Sequence, residues 1–490
     1  MWKNLQQSLL GFGVDSQLQK QILSETEKWK AILKRLLDVT LFLASRGLPF
    51  QGSSTKIGDV NNGNFLGVLE LLGRYDEITR GHLAYVKEYQ NEGESMKGRT
   101  HYLSWMSQNE FISLCGDKVL KHILEERTES IYYSIIADAT PDVSHQEQNV
   151  LILRYVFRNK ETKQFEIQER FIEFLNFNEK TGESIATMLL AALDRHKIPL
   201  PDCRAQAYDN GSNMSGKIKG VQARILEKNN IAFYSPCSAH SLNLVGVNAV
   251  KINSRIKTFF GFVQSLFVSF SSSLAKWNIL SEKVGVSLES QSETRWSSRV
   301  SAIRPIVNHL PGILKSLNRV LTEINMPDKI DEWPTILNEA SLVANNLNII
   351  PNFPEEERRA KKRKVFHDEV QSETIIQPNK AIVAQDSFKR DKLETIFINT
   401  SVALRIFCTL PVTVSEAERA FSKLGNQLKT WQRASIGQDR LSSLALLSIE
   451  NKLASKNNFD DVIHDFAKKK QEKKNNRKDY FGFFRPSSEY

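Results

Sequence analysis

The segment CRAQAYDNGSNMSG, residues 203–216, joins a short apolar run to a polar loop of small residues. Its first part, residues 203–209, is typical of a buried strand that ends in Asp209. Glycine lets another backbone or a phosphate approach the loop closely, and asparagine and serine can hydrogen-bond the turn. The segment therefore predicts a strand that delivers a carboxylate to the mouth of a loop.

The segments around this strand predict a mixed sheet. Further strands are expected at residues 131–138, 149–157, 164–174 and 232–237, and helices at residues 183–196 and 221–229. This order is β-β-β-α-β-α-β, which is typical of a mixed α/β fold.

Helical periodicity dominates the rest of the chain and suggests its organisation. We expect, in chain order, a helical N-terminal domain (1–130), the first part of the α/β core (131–245), a helical insertion (246–393) with a basic loop (351–370), a helical region that completes the core (394–455) and a basic tail (456–490) that is frayed at residues 468–478.

Composition restricts the class of protein and its partners. The 490 residues are 41% hydrophobic and 25% charged, which is ordinary for a globular protein. A net charge of +10 favours nucleic acid as a partner, with an ordinary basic protein as the alternative. Four cysteines without a CxxC pair argue against a disulfide framework. We expect no secretory signal and no membrane partner, because the most apolar run, residues 259–270, is too short to span a bilayer.

Two strand-end carboxylates form a candidate metal site. Asp138 ends the first predicted strand, and Asp209 ends the fourth. If these strands are neighbours, both carboxylates meet at the sheet edge where open α/β sheets bind ligands. Oxygen ligands suit Mg²⁺ or Mn²⁺, and a third carboxylate usually completes such a site. Asp142 is expected to cap the following turn rather than to bind metal.

Further motifs make the chain resemble the hAT superfamily of DNA transposases, in its zinc-finger MYM-like and transposase-derived branch. LPFQG (48–52) with GNFLGVLELL (63–72) resembles the helical domain before the catalytic core. ADATPDVS (137–144) and YDNGSNMSGKIKGVQARI (208–225) resemble the two aspartate motifs. Residues 410–451 resemble the C-terminal dimerisation region.

The resemblance implies a ribonuclease-H-like core with Asp138, Asp209 and Glu418 as catalytic, metal-binding acids, and an ordinary exposed helical glutamate is the alternative for Glu418. Glu416 is nearby, but its position in the SEAERAFS motif is less favourable than that of Glu418. Cys237 and His240 match the family's CxxH motif. Half a zinc site and a Cys–His nucleophile pair are alternatives, but we expect a structural role near the active site.

The resemblance also implies contacts with DNA and with a second subunit. Trp296 is expected to stack on an unpaired base, with a position in the core as the alternative. Arg295 and Arg299 are expected to meet phosphates or solvent. The basic run at residues 358–364 resembles a nuclear-import or nucleic-acid patch, or is a solvated loop. A homo-oligomer is expected through an apolar face that packs partly within the fold and partly against a partner: Phe421, Leu424, Leu428, Leu444 and Leu447.

Two departures from the family pattern affect the expected activity. No Cys/His-rich segment precedes residue 60, and only about 45 residues join Lys364 to Leu410. We therefore expect a nuclear, domesticated hAT transposase-like protein that binds DNA and dimerises, with catalysis weak or lost. The alternative is an active metal-dependent DNA transposase that cuts and joins element ends by two-metal chemistry.

Overall fold

The structure, a computed structural model, describes residues 14–91, 101–292, 296–323 and 398–470. The chain forms two compact units. The first combines Met1–Pro236 with Lys392–Tyr490, and the second is Cys237–Asp391. The predicted helical insertion at 246–393 therefore corresponds closely to the second unit.

Helices occupy the N-terminal part of the first unit: α1 (Val14–Ser45), α2 (Gly63–Gly73), α3 (Glu77–Asn91) and α4 (Trp105–Ser130). Apolar residues at helical spacing give α1 one buried face, which includes Leu33, Leu36 and Leu37. Helix α4 begins after Ser104, whose side chain accepts a hydrogen bond from the Ser107 amide.

The strands are β1 (Tyr133–Pro141), β2 (Glu147–Arg158), β3 (Phe165–Asn176), β4 (Cys203–Tyr208) and β5 (Phe233–Pro236). They form one mixed sheet in the order β3-β2-β1-β4-β5. Strand β1 is antiparallel to β2 and parallel to β4, and β4 is parallel to β5. Helix α5 (Gly182–Arg195) connects β3 to β4, and helices α6 (Ser212–Ser215) and α7 (Val221–Lys228) connect β4 to β5. The predicted β-β-β-α-β-α-β order is confirmed.

The central strands are buried on both faces. Residues 133–137 of β1 and residues 205–208 of β4 are all buried, although successive side chains point to opposite faces of a sheet. Continuous apolar runs are typical of strands that helices cover on both sides. The predicted metal-binding Asp138 lies within β1, three residues before its end, and Asp209 directly follows β4.

The second unit is helical: α8 (Ser238–Ile252), α9 (Ser254–Ser271), α10 (Leu274–Val284) and α11 (Trp296–Glu323). Its core includes Leu266, Phe270, Leu280 and Ala302. Over the described part of the chain, no single helix is long and apolar enough to cross a membrane; α9 and α10 meet that criterion only as a pair with a bend of 110° between them.

The C-terminal part of the first unit consists of α12 (Ile398–Thr409), α13 (Ser415–Lys423), α14 (Gln438–Ile449) and α15 (Asn451–Ala454). Helix α12 packs against β1, β2 and β4, and α13 packs against β1 and β2. Helix α14 packs against β3 and α4. This region therefore packs on the sheet of the first unit.

Two predicted boundaries need correction. Residues 1–130 are not a separate unit, because α4 packs against β2 and α14. The predicted basic tail (456–490) is helical at residues 460–470, because its apolar side chains pack in the core. Phe466 is fully buried and stacks on Phe111 with 4.1 Å between ring centroids.

A buried polar network joins these parts of the first unit. Arg170 Nη1 of β3 donates to Glu450 Oε2, between α14 and α15, at 3.0 Å. Glu450 Oε1 also accepts the Phe171 amide at 2.8 Å. The Tyr155 hydroxyl of β2 donates to Glu126 Oε2 of α4 at 2.8 Å. Burial raises the pKa of the Glu450 carboxyl, and the nearby Arg170 opposes that rise.

Candidate functional site

Asp138 and Asp209 each lie two residues beyond the last paired residues of β1 and β4. Ile136 of β1 is in register with Ala207 of the adjacent parallel strand β4. Continuing this register by two residues places Asp138 opposite Asp209, and neighbouring strands lie about 4.8 Å apart. Both side chains are half-buried. The prediction that β1 and β4 are neighbours is confirmed, and the convergence of the two carboxylates stays a prediction.

Local hydrogen bonds orient both carboxylates. Asp138 Oδ1 accepts the Ala139 amide at 2.9 Å, and Asp209 Oδ1 accepts the Gly211 amide at 3.1 Å. The Tyr234 hydroxyl of β5 donates to the Asp209 carbonyl at 3.2 Å. The backbone of Asp209 is therefore tied to the next strand of the sheet.

Glycine at position 211 leaves room for the aspartate. A Cβ atom there would lie 3.1 Å from Asp209 Oδ1 and 2.9 Å from Asn213 Oδ1. A side chain would therefore push against both groups, since Cβ contacts this short are rare. This explains the small residue two positions after the carboxylate.

The loop after Asp209 packs backbone against backbone. A Cβ atom at Gly220 would lie 2.4 Å from the Gly216 nitrogen. A Cβ atom at Gly182, which opens α5, would lie 2.3 Å from the Lys219 carbonyl oxygen. Because these glycines have no side chain, the loop can pack closely against α5. Lys217 and Lys219 remain exposed.

Glu418 lies in the first turn of α13 and is exposed. The same helix buries Ala417 and Ala420, and it packs against β1 and β2. The other candidate, Glu416, forms an ion pair with Arg419, whose Nε lies 2.9 Å from Glu416 Oε2. Glu416 therefore has a local structural role, whereas the role of Glu418 stays a prediction.

The arrangement does not fit a three-carboxylate metal cage. Among the described residues, no group of three or more histidine, cysteine, aspartate or glutamate side chains is placed to hold a metal ion. Asp138 and Asp209 share an edge of the sheet, but Glu418 does not complete a ligand set with them. The assignment of Mg²⁺ or Mn²⁺ therefore stays a prediction, and no chemical step is derived through a metal.

Asp142 caps a turn, as its sequence position suggested. Its Oδ1 accepts the amides of Ser144 at 2.7 Å and Gln146 at 3.2 Å. Its Oδ2 accepts Gln148 Nε2 at 3.0 Å and Lys429 Nζ at 2.6 Å. Burial raises the pKa of this carboxyl, but the hydrogen bond from Lys429 and the others outweigh burial and hold the pKa below its usual value.

Lys429 is a buried residue that the sequence analysis did not single out. The Asp142 and Lys429 side chains are only 1% and 5% exposed. Asp142 follows the Asp138 motif, and Lys429 follows the helix that carries Glu418. Their ion pair therefore ties together the two segments that carry these predicted catalytic acids.

The remaining predicted motifs fall in the second unit. Cys237 is buried, and its Sγ accepts the His240 amide at 3.5 Å, which is a backbone contact and needs no imidazole chemistry. Arg295 lies outside the described residues, and Trp296 opens α11 but its side chain is not described. The Arg299 guanidinium lies 4.5 Å from the centre of the Phe260 ring. The predicted basic loop, 351–370, also lies outside the described residues.

Comparison with known proteins identifies two regions of the chain. Residues 8–220 match the family described as "ZMYM1/FAM200, RNase-like domain", and residues 372–453 match the "hAT family C-terminal dimerisation region". The chain therefore carries an RNase-like domain and a hAT C-terminal dimerisation region. The predicted ribonuclease-H-like core agrees with the first match and with the mixed five-stranded sheet.

Two mammalian relatives of this hAT-like chain carry the name "52 kDa repressor of the inhibitor of the protein kinase". The human protein is 24% identical over 315 residues, which are 62% of this chain and 39% of the relative. The mouse protein is 24% identical over 312 residues, which are 61% of this chain and 39% of the relative. The chain thus spans about two fifths of the length of these relatives.

Most of the apolar residues predicted to contact a partner are internal core residues of this hAT-like chain. Leu424, Leu428, Leu444 and Leu447 are at most 2% exposed within one chain. Phe421 is half-buried, and its ring stacks on Phe174 at 6.0 Å. The prediction that part of this face meets a partner is therefore corrected for the four leucines, because the sheet and α4 already cover α14.

Other residues of the hAT dimerisation region expose large apolar side chains. Phe407 at the end of α12 is 67% exposed, Val412 is 61% exposed and Trp431 is 80% exposed. These residues lie outside the leucine periodicity, so that pattern does not indicate them. The sequence does give a signal for exposure of Trp431, because this large side chain stands in a polar segment, KTWQR, outside any apolar repeat.

Proposed function

We propose that this chain is a nuclear protein, derived from a hAT transposase, that binds DNA and self-associates while its strand-cleaving activity is weak or lost. The observation that supports this proposal is the arrangement of the predicted catalytic acids. Asp138 and Asp209 remain adjacent at the edge of the sheet, yet no third ligand joins them within the described residues. Displacing a reacting group by about 1 Å can lower a rate about a hundredfold, so an incomplete site predicts little cleavage.

Charge supports DNA as the partner. The chain carries a net charge of +10, and Lys217 and Lys219 are exposed on the loop that follows Asp209. Lysines that neutralise phosphates release condensed counterions, which supplies most of the affinity for any DNA sequence. Nuclear localisation is supported by the basic run at residues 358–364 and by the repressor names of the relatives.

One labelled duplex tests both parts of this proposal. Wild-type protein should bind the duplex with an affinity that falls as salt rises, and should leave it uncut in Mn²⁺. Cutting by the wild type that disappears in Asp209→Asn would overturn the loss of catalysis. Failure of the wild type to bind any duplex at low salt would overturn the proposed DNA binding.

An active DNA transposase is the second candidate. The observation that favours it is the register of β1 and β4, which sets Asp138 beside Asp209. Such an enzyme would cut DNA strands at element ends and join a 3′-hydroxyl to target DNA. Loss of cutting in Glu418→Gln, with Glu416→Gln unaffected, would support this candidate and its assignment of the third acid.

Self-association is supported by the match to the dimerisation region and by its exposed apolar residues. Large aromatic side chains are enriched at protein interfaces because they bury much area at low entropic cost. Trp431 is the most exposed of them, and it is the residue we expect to contact a second copy of the chain.

A further inference from the structure

The edge strand β5 exposes an aromatic side chain on a face of the sheet that is otherwise covered. Phe233 of β5 is in register with Ala205 of β4, which is in register with Ser134 of β1. Residues directly opposite each other on neighbouring strands point to the same face. Ala205 and Ser134 are fully buried, whereas Phe233 is 62% exposed. The cover on this face therefore does not extend over Phe233.

The end of α12 and the loop after it cross this face of the sheet. Arg154 of β2 lies in the same register row, and its Nε donates to the Cys408 carbonyl at 3.2 Å. Ser235 of β5 donates through Oγ to the Pro411 carbonyl at 2.7 Å. Because side chains alternate along a strand, Ser235 and Phe233 share this face. The chain after α12 therefore reaches the edge of the sheet beside Phe233.

The residues around this crossing expose further apolar side chains. Phe407 at the end of α12 is 67% exposed, and Val412, directly after Pro411, is 61% exposed. Ile231, two residues before Phe233, is 51% exposed. We call these side chains the sheet-edge patch: Ile231, Phe233, Phe407 and Val412. Grouped apolar side chains at a surface mark an interaction site, whereas single ones need no explanation.

The sheet-edge patch comes from two segments without charged side chains. No aspartate, glutamate, lysine or arginine occurs at residues 229–250 or 406–415, although 25% of the chain is charged. The core of a protein–protein interface is depleted in charged residues and enriched in aromatic ones. A surface that binds phosphates would need cations instead. This composition therefore favours a protein partner.

The position of the patch favours a second copy of the chain as that partner. Phe407 and Val412 lie within residues 372–453, which match the hAT C-terminal dimerisation region. Strand β5 lies outside both matched regions, yet the hydrogen bond from Ser235 to Pro411 makes it continuous with the exposed part of that region. A two-fold dimer uses the same surface of both subunits, and an apolar patch is complementary to itself.

Contact through side chains fits β5 better than pairing of strands. This strand has only four residues and ends in Pro236. The Phe233 amide donates to the Ile231 carbonyl at 3.0 Å, so it is already used within the chain. Short edge strands with proline resist pairing with another chain. The exposed aromatic ring is therefore the part of β5 that is suited to contact.

We propose that the sheet-edge patch packs against the same patch of a second copy of this chain. This inference rests on the proposed self-association and assigns it a surface. It makes the sheet itself part of the dimer, because β5 contributes Phe233 beside the residues of the C-terminal region.

Opposite charges placed in the patch test this arrangement. Phe233→Glu and Phe233→Lys each put like charges opposite each other if two patches meet. Tyr75→Glu is the matched control, because Tyr75 is an aromatic residue of the first unit that is 83% exposed outside the patch. Sedimentation of the full chain over a concentration series gives its mass relative to the monomer of 55.9 kDa, and circular dichroism checks each fold.

Wild type and Tyr75→Glu should dimerise alike. Phe233→Glu and Phe233→Lys should each raise the dissociation constant of the dimer about tenfold or more, since losing a central aromatic contact costs at least that factor. An equimolar mixture of the two variants should dimerise more tightly than either alone, because opposite charges then face each other.

The outcomes separate this surface from self-association itself. Unchanged dimerisation of both Phe233 variants, with a dimeric wild type, would overturn the sheet-edge patch but not the proposed self-association. A mixture that dimerises no more tightly than the single variants would overturn the contact of the patch with its own copy. A wild type that stays at the monomer mass at every concentration would overturn both proposals.

Discussion

Replacing Lys429 with methionine should destabilise the first unit strongly. The substitution keeps most of the side-chain volume but removes the positive charge that faces Asp142. Asp142 Oδ2 accepts Lys429 Nζ at 2.6 Å, and the Asp142 side chain is only 1% exposed. The carboxylate would therefore remain buried without its counter-charge.

The expected magnitude follows from the contacts that remain. Removing one partner of a buried ion pair costs about 3–5 kcal/mol. Asp142 would still accept the amides of Ser144 and Gln146 at 2.7 and 3.2 Å, and Gln148 Nε2 at 3.0 Å. Because these donors still stabilise the charge, we expect the lower end, about 3 kcal/mol of unfolding free energy.

The effect should depend on pH. Burial alone would raise the pKa of Asp142, but Lys429 and the other donors hold it below its ordinary value of 3.8. A lowered folded-state pKa adds stability that is complete above the ordinary value and is lost as pH falls through the folded-state value. In Lys429→Met the pKa of Asp142 should rise, so the difference in stability between wild type and variant should shrink in acid.

Calorimetry of the full chain at pH 7 and in acid measures this effect. The control is the double variant Asp142→Asn/Lys429→Met, which removes both charges and keeps an oxygen that can accept the turn amides. It should be more stable than Lys429→Met alone, since no buried charge is left unpaired. A loss below about 1 kcal/mol in Lys429→Met, the size of an exposed ion pair, would refute this reasoning.

Three substitutions test the loop and the C-terminal region. Gly220→Ala should lower the melting temperature, because the new Cβ would lie 2.4 Å from the Gly216 nitrogen and overpacking costs about 1–3 kcal/mol. An unchanged melting temperature would contradict the close packing. Leu428→Ala should cost about 2–5 kcal/mol of stability through the cavity it leaves, while the sedimentation mass of the folded protein stays the same. Trp431→Ala should do the reverse, with stability within about 0.5 kcal/mol of wild type and weaker self-association; an unchanged mass would remove Trp431 from the interface.

The local sequence pattern was enough to predict the sheet and the two aspartates of the candidate site. The buried runs at residues 131–138 and 203–209 became β1 and β4, and their adjacency placed Asp138 beside Asp209. Asp142 was expected to cap a turn, and it accepts the Ser144 and Gln146 amides. These features depend on neighbours within a few residues or on strand order, and both leave a signature in the sequence.

Features that join distant segments were not predictable in this way. The leucine periodicity of residues 424–447 indicated an apolar face, but not whether a partner or the chain itself covers it. The same holds for Phe466, whose partner Phe111 lies more than 350 residues earlier. Arg158 and Arg405 likewise lie near the same Phe165 ring, and nothing near either residue in the sequence indicates the other.

The sequence by itself determined the order of the elements, the two aspartates at strand ends and the excess of positive charge. Only the tertiary structure decided which leucines are internal, which lysine is buried beside Asp142, and that Glu418 does not complete a ligand set with the aspartates within the described residues. The physical reason is that backbone and side-chain preferences act over a few residues, whereas burial and charge pairing depend on where distant segments meet.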